Sequence, residues 1–585
     1  MARSLLSIAI AFLFSAAWCP GTRADHGQTP VADDPHGEHA TALAMLPEKD
    51  ATHRARESGD WSDPATWDNG VPTAGARAVI PEGVTVKLRE ELEPALDWIR
   101  VAGTLRFGAT VNTRLRVATV LVTPTGRLQV GTAAERVRSD RMAQIRFVPR
   151  PEQHRANDPY DLSGGLIALG RVELYGSEYR GFAAPTEPLR HGTRKLSFDE
   201  SPRGWKLGDE LLFPASAAGG RDELRTIADI SADSKSFTLS APLADDHLAP
   251  AGVVSRIPVG NLTRNIVLAS EDTSATSHRA HVMLMSHAGM NLSGVAFRGL
   301  GRTETSRIHT LPEKKPDGTV DVGDNLIGRY AVHFHLRSGA SLKNEPHRFA
   351  GNVIVDSPKH GLVNHGGYVV AENNVTYAIH GSHFFAENGS EIGAFRNNLA
   401  VYSRGSGDKI RARECLFDFG HGGYGFWTQS PAVVMDGNRA FHHADAGFSI
   451  FPRPVKEFGQ LVRFDRANLP AEVRDCGEGD RVSPGMIPCR FERNVAGNCG
   501  KGLEVWNVNT YAHHNVASVI AACEFWDTPD AGIEMPYTFH TIIRDTVVQG
   551  TRSPSVGIHL NSATKFLTLK RVSVSGFAVG FEVPV

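Results

Sequence analysis

The sequence has little of what marks several common protein classes. Only 6 of its 585 residues are cysteine, and no Cys-x-x-Cys pair occurs. This argues against a cysteine-based zinc module and against a small disulfide scaffold. The formal net charge is only −2, so no overall positive charge favours nucleic acid as a partner. Beyond the first 24 residues, no apolar run is long enough to cross a bilayer, so we expect no membrane span in the mature chain.

Residues 1–24 have the pattern of a secretory signal peptide. Arg3 supplies the positive charge, Leu5 to Ala17 form an apolar core, and Ala24 is a small residue at the expected cleavage point. About 13 apolar residues are too few to span a membrane, which argues against the alternative of a retained anchor. We therefore expect a secreted protein, extracellular or periplasmic, with a polar, disordered leader over residues 25–57.

Export permits disulfide bonds. Five cysteines remain after the expected cleavage, so at least one lacks a partner within the chain. Cys476 and Cys489 flank a polar loop, and we predict a disulfide between them.

The mature sequence is rich in short β-type runs separated by turn residues. Glycine is abundant, at 58 residues, and no helical period is evident. We predict an all-β protein with a β domain over 58–180, a separate β-rich module over 181–265, and a final domain over 266–585.

The final domain contains a repeat that begins with asparagine. Asn352, Asn374 and Asn398 open similar units at spacings of 22 and 24 residues, and later units open at Asn438, Asn494 and Asn515. Such a period with short strands predicts a parallel β-helix, in which stacked asparagines bond to one another at the turns.

Several motifs together resemble one known family. They are "WSDPATWDNGVP", "VAGTLRF", "GWKLGDELLF", "LTRNIVL", "GRYAVHFHL" and "HGSHFFAENGSE", in this order. The chain is similar to the family of the vertebrate cell-migration-inducing hyaluronidase, its transmembrane relative and secreted bacterial homologues. The resemblance covers residues 58–585. It implies an N-terminal G-eight domain, named for eight glycines, a right-handed parallel β-helix, and binding or cleavage of hyaluronan.

The segment "GRYAVHFHLRSG" suggests a metal site. Residues two apart on a strand share a face, so His333 and His335 project together, and His360 and His365 follow about one coil later. Imidazoles favour zinc or another transition metal over calcium, so we name these four histidines as candidate ligands of a divalent metal. A metal-free acid/base site and ordinary structural histidines remain open as alternatives.

Candidate catalytic residues lie near these histidines. They are Glu387, Glu391, Asp356 and His383. Hydrolysis of a glycosidic bond uses two carboxylates, whereas elimination next to a uronate needs a base and a neutralising cation; both routes stay open. Counted from the opening asparagine, His365, Glu387 and Arg411 share one offset, which predicts a single stacked column.

An acidic polysaccharide would also need cations and apolar ring faces. Arginine can contact a carboxylate in bidentate fashion, and aromatic rings suit the apolar faces of sugars. The candidate substrate-binding residues are Arg329, Arg337, Arg404, Arg411 and Trp427.

The combined interpretation is a secreted enzyme that degrades an acidic, hyaluronan-like polysaccharide. Its site would be a His- and Glu-rich groove of the β-helix around residues 329–413. The enzyme would act as a hydrolase or a lyase. The alternative is a non-catalytic carbohydrate-binding protein or adhesin on the same scaffold.

The signal-peptide pattern predicts that export removes residues 1–24. The exported protein should then begin at Asp25, because Ala24 offers the small side chain that the cleaving peptidase accepts. N-terminal sequencing of secreted protein checks this, and a chain that still starts at Met1 would contradict it.

Overall fold

Parallel strand pairing runs through nearly the whole chain. The computed structural model describes residues 38–151, 157–336, 340–409, 412–413, 416–453, 455–457, 460–474, 480–510, 514–551, 555–560 and 563–583. Within these residues 36 strands join in one network, whose coils form a right-handed parallel β-helix. The predicted all-β fold is confirmed.

The first eleven strands, β1 to β11, are His53–Arg54, Gly59–Asp60, Arg77–Ile80, Thr85–Leu88, Glu91–Val101, Thr104–Phe107, Thr113–Val122, Arg127–Val130, Ala143–Phe147, Gly165–Ala168 and Arg171–Tyr175. An insertion contains β12 to β17: Phe182–Ala183, Lys195–Ser197, Glu210–Phe213, Glu223–Ile230, Ser236–Leu239 and Val259–Asn261.

The next twelve strands, β18 to β29, are Ile266–Ser270, His281–Leu284, Asn291–Ser293, Val295–Arg298, Glu313–Lys314, Val320–Asp321, Val332–His335, His347–Ala350, Val353–Ser357, Leu362–His365, Tyr368–Glu372 and Val375–Ile379. Strands β30 to β39 are Ser382–Ala386, Ile392–Arg396, Leu399–Ser403, Tyr424–Thr428, Val433–Asp436, Arg439–Ile450, Lys456–Glu457, Gln460–Leu461, Phe464–Asp465 and Arg481–Val482. Strands β40 to β48 are Arg490–Glu492, Val495–Val505, Ser518–Ala521, Glu524–Trp526, Ala531–Glu534, Phe539–Gln549, Val556–His559, Lys565–Ser575 and Val579–Glu582.

Helical structure is sparse. Among the described residues there is one α-helix, α1, at Glu38–Ala44, and short 3₁₀ turns occur at Glu48–Asp50, Pro64–Thr66, Thr276–His278, Arg466–Asn468, Ala471–Val473 and Pro484–Met486. Across the described ranges, no helix has the length and apolar character needed to cross a membrane.

Each coil contributes to three parallel sheets. Sheet A stacks β10, β19, β24, β27, β30 and β33; sheet B stacks β11, β20, β25, β28, β31 and β34; sheet C stacks β9, β18, β21, β26, β29 and β32. In the later coils, single long strands such as β35 and β41 bend from sheet C into sheet A.

The N-terminal region belongs to the same ladder as the later coils. Strand β7 pairs with β10, and β10 pairs with β19, all parallel. The insertion between β11 and β18 is different, because its six strands pair antiparallel in the order β12-β17-β14-β15-β16-β13. It packs on the outer face of sheet C through apolar residues such as Val353, Val375 and Leu399.

The predicted asparagine ladder is present. The Asn352 backbone N–H donates to Asn374 Oδ1 at 2.8 Å, and the Asn374 N–H donates to Asn398 Oδ1 at 3.1 Å. Asn438 and Asn494 continue the series with N–H···Oδ1 bonds of 3.1 Å and 2.9 Å.

The prediction that Asn515 is the sixth member of the ladder was wrong. Strand β41 pairs with β43 so that Val495 faces Glu524, which places Cys523, not Asn515, after Asn494. Asn515 lies on the surface instead.

A left-handed residue precedes each ladder asparagine. Gly351, Asn373, Asn397, Gly437 and Arg493 have φ values of 63°, 57°, 48°, 70° and 55°. Glycine and asparagine adopt this conformation most readily, which explains why "GN" and "NN" pairs mark the repeat. The turn chemistry therefore sets the register of every coil.

Phenylalanines stack inside the tube. Phe384, Phe426 and Phe448 lie on successive rungs, with ring centroids 4.8 Å and 4.9 Å apart and rings nearly parallel. Their shared orientation means that the residues on either side of them point out of the tube. The residues directly before and after each of these phenylalanines therefore form the outer face of sheet A.

The predicted Cys476–Cys489 disulfide remains a prediction. Cys476 lies outside the described residues, and Cys489 is a buried free cysteine.

The ladder predicts the cost of removing one asparagine. Asn398 is fully buried, accepts from the Asn374 backbone and side-chain amides, and donates to the Ala371 carbonyl. Asn398→Ala leaves buried polar groups unsatisfied, so we expect a loss of about 2–4 kcal/mol in the free energy of unfolding. Denaturant melts should show it, with Asn344→Ala, an exposed asparagine, as the control. Equal midpoints for the two variants would contradict the ladder's role.

Candidate functional site

Three histidines meet on the outer face of sheet A. His333 and His335 lie on β24, and His365 lies on β27 directly opposite His335. Their ligand nitrogens all lie within 4.8 Å of one another, and His335 Nδ1 is 3.3 Å from His333 Nε2. Phe334 between them belongs to the interior core. The expected alternation is thus observed, and we call these three residues the histidine cluster.

Glu387 adds a carboxylate to the histidine cluster. Its Oε2 lies 3.2 Å from His365 Nδ1 and 3.5 Å from His333 Nε2. Its backbone N–H donates to the Asn364 carbonyl at 3.0 Å, which places it on the rung after His365. The Tyr330 hydroxyl donates to its Oε1 at 3.4 Å. Three imidazoles and one carboxylate therefore converge.

Burial and charge favour the metal-binding forms of these groups. Burial alone would raise the pKa of the Glu387 carboxyl, but the His365 and His333 imidazoles outweigh it and hold that pKa well below its usual range. Burial lowers the pKa of His333, against the opposing pull of Glu387. Burial, with the charge of Glu387, raises the pKa of Tyr330 well above normal. An ionised carboxylate is the form of Glu387 that coordinates a metal, and a histidine coordinates one after it has lost its proton.

The N-terminal segment covers the histidine cluster. Glu38 at the start of α1 places its Oε2 2.8 Å from His335 Nε2. The rest of α1 packs with Met283 and Met285, which lie on the same outer face of sheet A. Residues 38–57 therefore differ from the disordered leader expected over 25–57. Apolar Ala42, Met45 and Leu46 are the sequence signal that this segment packs against the β-helix.

Access to the histidine cluster is narrow. His333, His335 and His365 are 1%, 7% and 8% exposed, and the Glu387 side chain is 14% exposed. The open groove expected around these residues is instead largely covered.

Two other candidate histidines lie elsewhere. The His360 ring stacks on Phe385 at 4.3 Å, and its Nδ1 accepts from the Ser382 N–H at 3.1 Å, so this nitrogen is already used. His383 lies between the Thr376 hydroxyl and the Tyr402 carbonyl, at 2.7 Å and 3.0 Å. Burial lowers the pKa of His383 to about 3, so it stays neutral at ordinary pH. Neither residue is part of the histidine cluster.

Two candidate carboxylates are engaged by other groups. Glu391 is fully buried and accepts backbone N–H bonds from Asn388, Gly389 and Gly366 at 2.7, 2.8 and 3.2 Å. It therefore holds the turn that follows Glu387. Asp356 has a left-handed backbone and pairs with Arg279 at 2.8 Å, at the corner that follows sheet C.

The candidate substrate-binding residues are scattered. Arg329 is buried and donates to the carbonyls of Asp161 and Tyr160 at 2.9 Å and 2.5 Å. Trp427 is buried within an aromatic group on the outer face of sheet A. Burial thus removes both from direct contact with a polymer. Arg404 is exposed.

Arg337 and Arg411 lie outside the described residues. The expected His365–Glu387–Arg411 column holds for its first two members. On the next rung the Gln429 N–H donates to the Ala386 carbonyl at 2.9 Å, so Gln429 follows Glu387. The reason is the long loop between β32 and β33, which adds residues to that coil and breaks the count.

The sequence analysis did not identify a second group of buried charged residues, which is centred on Asp418. Asp418 contacts Lys359 Nζ at 2.5 Å, His309 Nδ1 at 3.2 Å and Arg413 Nη1 at 3.2 Å. It anchors the loop between β32 and β33 to the coils. Burial would raise the pKa of Asp418, but Lys359 and His309 hold it far below its usual range.

The donor set fits a transition metal. Three imidazole nitrogens and a carboxylate oxygen are ligands that zinc and related ions accept, whereas calcium takes oxygen donors. Glu38 approaches the same group from outside the coils, where an exchangeable ligand or a substrate would enter. The three histidines could thus hold a cation, and Glu38 covers the outward side of His335.

Two regions of the chain match known protein families. Residues 66–183 match the G8 domain, and residues 319–470 match the CEMIP beta-helix.

Curated relatives extend the match over most of the chain. Mouse Fibrocystin-L is 26% identical over 81% of this chain, and human Fibrocystin-L is 24% identical over 67%. A G8 domain-containing protein of Dictyostelium discoideum is 22% identical over 77% of the chain. This chain spans only 12%, 10% and 38% of the lengths of those three proteins.

Solved structures give weaker likeness. A periplasmic alginate epimerase is 8% identical and superposes with a TM-score of 0.30 over 98% of this chain and 99% of its own. The A-module of a mannuronan C-5 epimerase from Azotobacter vinelandii is 8% identical, with a TM-score of 0.24 over 87% and 88% of the two chains. Scores this low carry no argument about function, and the fold rests on the strand register. The chain is thus similar to the G8 domain over residues 66–183, to the CEMIP beta-helix over residues 319–470, and to Fibrocystin-L over most of its length.

Proposed function

We propose that this protein is a secreted enzyme that degrades an acidic, hyaluronan-like polysaccharide with the help of a divalent transition metal. The observation that carries the proposal is the convergence of His333, His335, His365 and Glu387 on one outer face of the β-helix. Four metal-binding groups of this kind are rarely gathered without a chemical role. The resemblance of the sequence motifs to the hyaluronidase family, together with the match of residues 319–470 to the CEMIP beta-helix, supports an acidic glycan as the substrate class.

The chain's own residues have separate roles in this proposal. The three imidazoles would hold the cation, which would supply Lewis-acid polarisation or an activated water. Glu387 orients His333 and His365, because its Oε2 lies within 3.5 Å of a nitrogen on each. The Tyr330 hydroxyl keeps its proton, because burial and the charge of Glu387 raise its pKa, and it donates a hydrogen bond to Glu387.

The geometry disfavours the two-carboxylate mechanism of hydrolysis. That mechanism needs two carboxyl groups on either side of the scissile bond. Glu391 cannot pair with Glu387 in this way, because backbone amides of its own turn and of Gly366 occupy its carboxylate. Among the described residues of the coils, Glu387 is the one carboxylate that contacts the histidine cluster, and Glu38 from α1 is bonded to His335. This arrangement favours metal-assisted cleavage or elimination.

The alternative function is carbohydrate binding without catalysis. The observation that favours it is the low exposure of the histidine cluster, which a purely structural metal site would share. In that case a bound metal would stabilise coils around β24 and β27 and touch no substrate.

Metal content tests the site directly. Purified full-length protein should retain about one zinc or similar ion per chain, measured by elemental analysis. His335→Ala should weaken binding of that ion more than tenfold, since it removes one of three imidazole ligands. His278→Ala, which removes an exposed histidine, is the matched control. Equal metal content in the two variants would overturn the metal assignment.

Degradation tests the function. Incubation with hyaluronan and other acidic polysaccharides should lower their viscosity, and chelation should abolish the effect. Absorbance at about 235 nm separates elimination, which creates an unsaturated uronide, from hydrolysis, which does not. Metal binding with no loss of viscosity on any acidic polysaccharide would favour the non-catalytic alternative.

A further inference from the structure

An open cleft lies at the corner where the chain passes from sheet C to sheet A. It has a volume of about 280 Å³ and is lined by residues 402–404, 442–444 and 498–500 with Pro529. We call it the corner cleft. It is distinct from the histidine cluster, because none of the cluster residues lines it. Its volume is near the lower end of the range for small-molecule sites.

Three successive rungs form the floor of the corner cleft. Pairing of Ser403 with His443, and of His443 with Cys499, places Tyr402, His442 and Asn498 one above another. All three have left-handed backbones, with φ of 67°, 61° and 54°. Asp356 and Ala378 share this backbone at the same corner of earlier coils, so it is a property of the corner rather than a sign of function. The side chains distinguish these rungs.

His442 is oriented by a carboxylate from the insertion. Its Nδ1 lies 2.8 Å from Asp222 Oδ2, and Asp222 also accepts the Ala215 N–H at 2.7 Å. The Asp222 side chain is only 5% exposed, whereas the His442 side chain is 33% exposed. Asp222 accepts the proton of Nδ1, which leaves the Nε2 edge of the ring as the part that is available to a ligand. Nε2 forms no hydrogen bond within the described part of the chain.

Aromatic and cationic groups complete the corner cleft. The Tyr402 ring lies 4.9 Å from the His442 ring, and both are partly exposed. Arg404, two residues after Tyr402, is exposed at the rim. Asn498 donates its Nδ2 to the Ala215 carbonyl at 3.2 Å, which fixes the wall contributed by the insertion. The cleft thus offers a ring face, one strong cation and the Nε2 edge of an imidazole.

We propose that the corner cleft binds a uronate-type sugar unit of the acidic polysaccharide. Arg404 pairs with the carboxylate, the Tyr402 ring covers an apolar sugar face, and His442 Nε2 forms a hydrogen bond with a sugar hydroxyl. A single arginine suits a monocarboxylate better than a phosphate, which carries more charge and needs more donors. The assignment rests on the proposed function for its substrate class, but it concerns a separate surface.

Direct binding of a hyaluronan octasaccharide tests this proposal. Titration calorimetry on the full-length protein should show binding, and a neutral chitin oligosaccharide of the same length should bind at least tenfold more weakly. Arg404→Gln should raise Kd about tenfold or more, and His442→Gln and Asp222→Asn should raise it several-fold. Arg490→Gln is the matched control, because it removes one exposed charge on β40 of sheet B, away from the corner cleft.

Each result bears on the proposal. The expected pattern supports it whether or not the polymer is cleaved, and if cleavage occurs the Arg404→Gln defect should fall on KM rather than kcat. Equal binding in all variants would overturn the assignment of the corner cleft as a sugar-binding site. It would not affect the proposal that the histidine cluster cleaves the polymer. No octasaccharide binding by the unaltered protein also overturns it. Circular dichroism and metal content, unchanged in all four variants, exclude loss of folding as the cause.

Discussion

The rung-to-rung register of the parallel ladder is the constraint on which the rest of this molecule depends. Neighbouring strands lie about 4.8 Å apart, so any two residues at equal positions in successive coils are brought into contact. The asparagine ladder fixes that position in each coil, because each side-chain oxygen accepts the N–H of the preceding asparagine. His335, His365 and Glu387 are distant in sequence, yet this register alone places them side by side. A slip of one residue would turn all three into the tube.

The parts of the site that follow directly from the repeat were predictable from sequence. The spacing of Asn352 and Asn374 carries over to His365 and Glu387, because both members of each pair lie the same number of residues into their coil. The alternation of His333, Phe334 and His335 likewise predicted which side chains leave the tube. The first inference uses the coil period, which no insertion interrupts between residues 352 and 398, and the second uses the alternation within the single strand β24.

The site residues that were predicted wrongly lie where a loop leaves the coil, or where burial prevents a side chain from reaching a ligand. The loop between β32 and β33 lengthens one coil, so counting from Asn398 led to Arg411 when the rung is occupied by Gln429. Trp427 and Arg329 have the residue types of a sugar site, but other segments cover them, and a sequence pattern does not report such covers. Glu391 is fully buried and accepts backbone amides in its turn, whereas Glu387 contacts imidazoles, and this difference is a detail of loop conformation.

Both candidate sites are completed by segments that do not belong to the ladder. Glu38 reaches the histidine cluster from α1, and Asp222 orients His442 from the insertion. The ladder places side chains in rows at fixed spacing. Within a row, each side chain contacts only the side chains of the coils before and after it. A carboxylate that approaches from outside adds a second direction, which orients the ring of His442 and closes the outward side of His335. Chemical specificity in this protein therefore depends on the N-terminal segment and the insertion as much as on the coils, and changes in those two segments can alter it without disturbing the register.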